Sequence, residues 1–296
     1  WFQDFEQLHP RVHVRYTPEG SQAGDKELNA GEIDFAGSDV APEVAVDASA
    51  ASRLQRIASV LGAVVPIYNL SGVARDLRFT SELLAEIYLG HVRRWNEEAI
   101  RRFNTDVDLP ESAITVVHRS DGSGTTWVWS DLLSNVSSSW SSSVGRGTTL
   151  QWPVGVGAEG NEGVAEAVRN TPNSIGYVEL TYAIQHRLSY GAVRNRAGEF
   201  VRADLDTVAE AARSAGISGG PGLAISNAPG KSAYPIAAFT WFVFPADIRD
   251  SAKRAAMAEL FRWILTAGQR ECSSLGYAPL PRQVVDDQLR KLDAWH

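Results

Sequence analysis

The sequence predicts an α/β protein with largely parallel sheets, and three observations carry the prediction. Short apolar runs with strand character alternate along the chain with segments whose apolar residues recur at helical spacing. Clusters of Gly, Ser, Asp and Pro punctuate the boundaries between them. A length of 296 residues suits roughly two domains.

The elements follow in order. The opening WFQDFEQLHP reads as the middle of an amphipathic helix over 1–8, so a leader and the first strand of the fold are expected upstream of Trp1. Strands are expected at Val12 to Tyr16, Ile33 to Ala36, Ala63 to Tyr68, Ile114 to Val117, Ile175 to Val178 and Phe239 to Phe244. Helices are expected near 22–30, 47–55, 81–88, 96–103, 124–135, 161–170, 179–187, 204–214, 251–267 and 281–292. The serine-rich stretch 134–147 reads as a surface loop, and the Gly/Pro/Ser-rich stretch 218–235 as a crossing between lobes.

Composition excludes several functions. Asp+Glu number 35 against 28 for Lys+Arg, a net charge of −7, which argues against a nucleic-acid partner. An anion site in such a chain must work through local dipoles and one or two cations rather than through overall charge. No apolar run approaches the roughly 18 to 20 residues that span a bilayer. The lone cysteine, Cys272, allows no intrachain disulfide.

The most informative stretch is VHRSDGSGTTWVW, Val117 to Trp129, where a strand turns into a helix. The first N–H groups of a helix have no internal acceptor and lie at the positive end of its dipole. Glycines let a ligand approach that backbone, Ser123 and Thr125 add hydroxyls, and Arg119 adds a charged fork of N–H donors. The segment is an anion receptor of a size that suits one tetrahedral oxyanion. EGSQAGDKEL repeats the logic: Ser21 either caps a helix or turns its hydroxyl and N–H to an anion. DFAGSDVAP ends a short strand at Asp39, which either caps a turn or lies where open α/β sheets bind ligands. GVGAEG, Gly155 to Gly160, matches the dinucleotide fingerprint in form, but Pro153 does not suit the central strand that should precede it. A loop entering the helix near Asn161 is the preferred reading. PGKS at 229–232 lacks the upstream glycine of a phosphate loop, because position 225 is Ile225.

GSQAG, DFAGSD, IYLGHVRRWNEEAI, RSDGSGTT, SIGYVELTYA, YPIAAFTWFVF and GYAPLP, in this order and spacing, resemble the phosphate-binding proteins of ABC-type phosphate transporters over nearly the whole chain. The resemblance implies the periplasmic-binding-protein fold, two α/β lobes with a hinge and a ligand cleft between them. It assigns 1–70 with 239–296 to one lobe and 71–238 to the other. It implies that Ser21 and Asp39 bind phosphate from the first lobe and Arg119, Ser123, Gly124 and Thr125 from the second, with Asp121 orienting the arginine. The family's first strand and Thr-Phe or Ser-Phe loop would precede Trp1. The implied function is extracytoplasmic binding of inorganic phosphate and delivery to the membrane permease subunits of an importer. The protein would be exported to the periplasm or the outer face of the membrane, free or lipid-anchored, touching the membrane only through the transporter or an upstream anchor. No cofactor and no metal are implied.

Two alternatives are weighed on residues. A phosphatase with Arg119 clamping the transferred group would need a nucleophile with a base, or metal ligands, and the six histidines form no such set: His9 and His13 are separated by Pro10, and strand alternation turns His118 away from Arg119. A sulfate or molybdate receptor is disfavoured by Asp39, an acceptor that needs a proton from its ligand.

Overall fold

A computed structural model describes residues 1–40, 53–73, 76–216 and 225–295. In chain order the described elements are α1 (Phe2–Leu8), α2 (Ser21–Ala30), β1 (Ala36–Ser38), β2 (Leu54–Asn69), β3 (Arg78–Phe79), α3 (Ser81–Tyr88) and α4 (Glu98–Arg101). There follow β4 (Thr115–Arg119), α5 (Gly124–Val136), α6 (Ser138–Ser143), β5 (Val156–Ala158), α7 (Gly160–Asn170), β6 (Ser174–Glu179) and α8 (Leu180–Gln185). The chain continues through β7 (Ser189–Tyr190), β8 (Ala192–Arg194), β9 (Phe200–Val201), α9 (Leu205–Ser214), β10 (Ala237–Pro245), α10 (Ser251–Thr266) and α11 (Arg282–Asp293).

The main sheet has the order β1-β10-β2-β6-β4-β5, with β7 also on β2; β3, β8 and β9 form a second, small sheet. Its organising element is β2. Its 16 residues are Val-, Ile- and Ala-rich and buried from Ile57 to Tyr68 except at Gly62, the run expected of a strand covered on both faces. Up to Ala63 it pairs antiparallel with β10, and from Val64 to Asn69 antiparallel with β6. One strand thus changes partner between Ala63 and Val64 and carries the sheet from one half of the molecule into the other.

The pairings correct the expectation of largely parallel sheets. β4 runs parallel to β5 and β6, and β3 to β8, whereas β1, β2, β6, β7 and β10 are joined by antiparallel pairs. An apolar run long enough to pair with two partners in succession reads in sequence as a shorter strand with a separate preceding element. Part of the expected helix 47–55 lies outside the described residues, but Leu54 and Gln55 already belong to β2.

Val12 to Tyr16 is not a strand. Its backbone is satisfied locally: Val12 donates to the His9 carbonyl and Val14 to Glu6 Oε1 at 2.6 Å. The strand expected at Ile33 to Ala36 begins only at Ala36, and the helix expected over 96–103 is regular only in α4. The serine-rich stretch is not simply a loop. Ser137 caps α6 by accepting from Trp140 N, and Trp140 is fully buried with its Nε1–H on the Gly145 carbonyl at 2.8 Å. Of the expected crossing 218–235, residues 217–224 lie outside the described residues, and 225–235 is turn and coil.

Candidate functional site

The site is built where three strand ends meet two helix starts. β4 ends at Arg119, and after four residues α5 begins at Gly124. Alternation along β4 turns Val117 and Arg119 to one side and His118 to the other, where its ring stacks on Trp152 at 4.7 Å. Arg119 is 6% exposed. Its Nε donates to Asp121 Oδ1 at 2.7 Å, its Nη2 to Asp121 Oδ2, and its Nη1 to Thr125 Oγ1 at 3.5 Å. Such a two-point clamp fixes the plane of the guanidinium. Asp121 also accepts from Gly160 N at 3.0 Å. Burial pushes its carboxyl up, but the Arg119 and Gly160 bonds outweigh that and hold it below the usual carboxylate range.

Ser123 caps α5, its Oγ accepting from Thr126 N at 3.1 Å, and its own N–H is spent on the Thr148 carbonyl at 2.9 Å. It therefore offers a ligand only its hydroxyl. The N–H groups of Gly124 and Thr125 stand in the first turn of α5 with no intrahelical acceptor.

The start of α2 faces this turn. Gly20, not Ser21, is its N-cap, at φ +86° and ψ 161°, a backbone conformation open to glycine alone. Ser21 is the first helical residue, and its Oγ accepts from Asp39 N at 3.2 Å. The two halves touch here. Gln22 N donates to the Gly122 carbonyl at 3.4 Å, and Thr149 Oγ1 to Gln22 Oε1 at 3.0 Å. A methyl group on Gly124 would lie 2.8 Å from Asp39 Oδ2 and 2.9 Å from Asp39 Cβ, and closer still to Ser21 Oγ. Ser21, Asp39, Arg119, Asp121, Ser123, Gly124 and Thr125, all singled out in the sequence, thus surround one gap.

Sequence reasoning missed three neighbours of this gap. Thr240 Oγ1 donates to Asp39 Oδ1 at 2.6 Å and so leaves Oδ2 as the carboxylate oxygen facing Gly124. The signal was a hydroxyl residue inside the apolar run AAFTWFVF, at the position where β10 shifts register against β2. Asn161 bridges Thr125 Oγ1 and Glu179 N. Glu179 ends β6, accepts from Tyr277 OH at 2.8 Å and lies against β2 at Gly62. Burial, with the nearby Asp39 charge, pushes its carboxyl up to about 8 against the Tyr277 bond. Burial likewise raises Asp39, opposed by Thr240 and Arg119. A raised carboxylate is a stronger acceptor for a ligand's proton.

Chemically, the gap combines two converging helix N-termini, one clamped guanidinium, several hydroxyls and one carboxylate acceptor. That set is chemically suited to an anion which also carries a hydrogen to donate.

The PBP superfamily domain model matches residues 1–267. The phosphate-binding protein PstS of Xylella fastidiosa is 42% identical over 277 residues, covering 92% of this chain and 75% of that protein. The PstS of Pasteurella multocida is 36% identical over 275 residues, covering 92% and 79%. Among solved structures, the phosphate-binding protein of Stenotrophomonas maltophilia superposes with a TM-score of 0.69 at 17% identity, over 95% of this chain and 87% of that one, a likeness of fold. The two-lobed periplasmic-binding-protein fold is therefore the fold of this chain, which belongs to the PBP superfamily and, within it, to the family of the PstS phosphate-binding proteins.

Proposed function

We propose that this chain binds inorganic phosphate outside the cytoplasm and releases it to the membrane permease subunits of an ABC-type importer, acting as a carrier and not as an enzyme. The observation that carries the reading is the meeting, in one gap, of the α2 and α5 N-termini, the Arg119–Asp121 clamp and the free oxygen of Asp39. The relatives named as phosphate-binding proteins support it. Ser21 and Asp39 contact the ligand from one lobe; Arg119, Ser123, Gly124 and Thr125 contact it from the other, with Asp121 holding the arginine. We place the lobes at 1–70 with 239–296, and 71–238; β2 already passes from β10 to β6 at Val64, inside the first of these segments.

Electrostatics favours this chemistry. Arg119 and Asp121 cancel formally, so the anion is held by neutral N–H and O–H dipoles with a guanidinium in reach. No helix among the described residues is long and apolar enough to cross a membrane. A carrier read this way meets the membrane through the transporter or an anchor.

The test is isothermal titration of phosphate into the protein and into Arg119→Ala. Removing one partner of a desolvated charge pair costs about 2–5 kcal/mol of binding. Wild-type affinity in the variant would put the site elsewhere.

A further inference from the structure

The glycine-rich GVGAEG segment reaches the site through its last residue, Gly160, whose N–H donates to Asp121. β5 lies parallel to β4 with Val117 opposite Val156 and Arg119 opposite Ala158, and Ser120 N donates to the Ala158 carbonyl at 3.0 Å. This register delivers the start of α7 beside the Arg119–Thr125 loop. Gly160 N there donates to Asp121 Oδ1, and the next residue, Asn161, donates through Nδ2 to Thr125 Oγ1.

We infer that Asn161 is a positioning residue of the anion site, forcing the Thr125 hydroxyl to act as a donor to the bound ligand. This rests on the phosphate reading above. Asn161 Oδ1 accepts from Glu179 N at 3.3 Å, and Asn161 Nδ2 donates to Thr125 Oγ1 at 3.2 Å. The orientation of the amide is determined by its partners. A backbone N–H can only donate, so the side-chain oxygen must face Glu179 and the NH₂ must face Thr125. Thr125 Oγ1 accepts a second bond from Arg119 Nη1, which also can only donate. A hydroxyl oxygen has two acceptor sites, and here both are occupied. The one remaining capacity of Thr125 is its hydrogen, on a side chain that is 5% exposed and beside the free N–H groups of the α5 first turn. The hydrogen's acceptor is an oxygen of the ligand.

Without Asn161 the Thr125 hydroxyl can rotate and accept instead, and the site loses a donor preset before the ligand arrives. Asn161 therefore acts through Thr125 and touches no ligand atom itself. The test is a double-mutant cycle read by titration of inorganic phosphate into wild type, Asn161→Ala, Thr125→Val and the double variant. Asn161→Ala alone should weaken binding about tenfold, the worth of one well-placed hydrogen bond. In the Thr125→Val background the same change should have almost no effect. A parallel cycle of Asn161→Ala with Ser21→Ala, whose side chains share no bond, should be multiplicative. A merely structural role for Asn161 would weaken binding by the same factor in every background, and that result overturns the inference while leaving phosphate binding intact. Absence of phosphate binding in wild type overturns the reading beneath it. Asn161→Ser, too short to reach Thr125 but still polar at the start of α7, repeats the cycle if the alanine variant does not fold, with the same outcomes on either side.

Discussion

Adding one methyl group at Gly124 should separate ligand affinity from protein stability. Gly124 is the first residue of α5 and is absent from the residues with positive φ, so Gly124→Ala meets no backbone strain and favours the helix. The obstacle lies across the gap. The new carbon would stand 2.8 Å from Asp39 Oδ2 and 2.9 Å from Asp39 Cβ, and nearer to Ser21 Oγ, where carbon contacts settle at about 3.5–4.0 Å. Thr240 holds the Asp39 carboxylate and the Ser21 hydroxyl accepts from the Asp39 backbone N–H, so the side chain cannot rotate away without losing the Thr240 bond. Relief comes from moving α5 away from α2 and β1, that is, from opening the gap. Overpacking of this kind costs about 1–3 kcal/mol, which here falls on the closed state and weakens binding roughly 5- to 150-fold. The assay pairs isothermal titration of phosphate with thermal melts of the free protein. The expected result is an unchanged or raised melting temperature with weakened binding. Wild-type affinity in Gly124→Ala, or a loss of free-protein stability that matches the loss of binding, would refute the closure geometry.

Two further expectations concern the whole molecule. With ligand groups drawn from both lobes, as proposed, saturating phosphate should compact the protein and raise its melting temperature; identical scattering profiles with and without phosphate would count against closure. The Glu179 carboxyl, raised to about 8 in the fold by burial and by Asp39, binds a proton there that the unfolded chain releases near its ordinary value of 4.5. The native state therefore holds the extra proton between these values. Its stability contribution is complete below the lower one and falls as pH rises through the window, by at most about 1.4 kcal/mol per pH unit. Urea unfolding of wild type and Glu179→Gln at several pH values checks this: the variant should lose that part of the slope, and parallel curves would show that Glu179 does not hold the proton.

The sequence carried the site better than the sheet, for a physical reason. RSDGSGTT marks itself locally as a candidate anion site, since small residues, an arginine and a strand-to-helix junction lie within a few positions of one another. Most long helices were legible from periodicity, α3 and α10 among them. What escaped depended on distant partners. The length of β2 is set by β10 and β6, more than a hundred residues away in the chain. The two- and three-residue strands β3, β7, β8 and β9 are too short for any period to register. Trp140 buries itself within a run of serines that masks it. At the site, Asp39 stood out only through the family resemblance, and Thr240, Asn161 and Glu179 gained their meaning from hydrogen bonds that no linear spacing displays.

On the proposed reading, Asp39 selects an anion that brings its own hydrogen. Thr240 occupies Oδ1, and the free Oδ2 needs a donor from the ligand. Phosphate near neutral pH carries such a hydrogen; sulfate carries none and would set a bare anionic oxygen against a carboxylate in a desolvated gap. A site built around a ligand's hydrogen-bonding group can reject an analogue lacking it by about 10⁴ to 10⁵. The most direct measurement is therefore competition of sulfate against phosphate in wild type and in Asp39→Asn, whose NH₂ supplies a donor and whose charge is gone. Wild type should ignore millimolar sulfate, and the variant should narrow the gap mainly by admitting it. Strong sulfate competition in wild type, or unchanged discrimination in Asp39→Asn, would contradict the account.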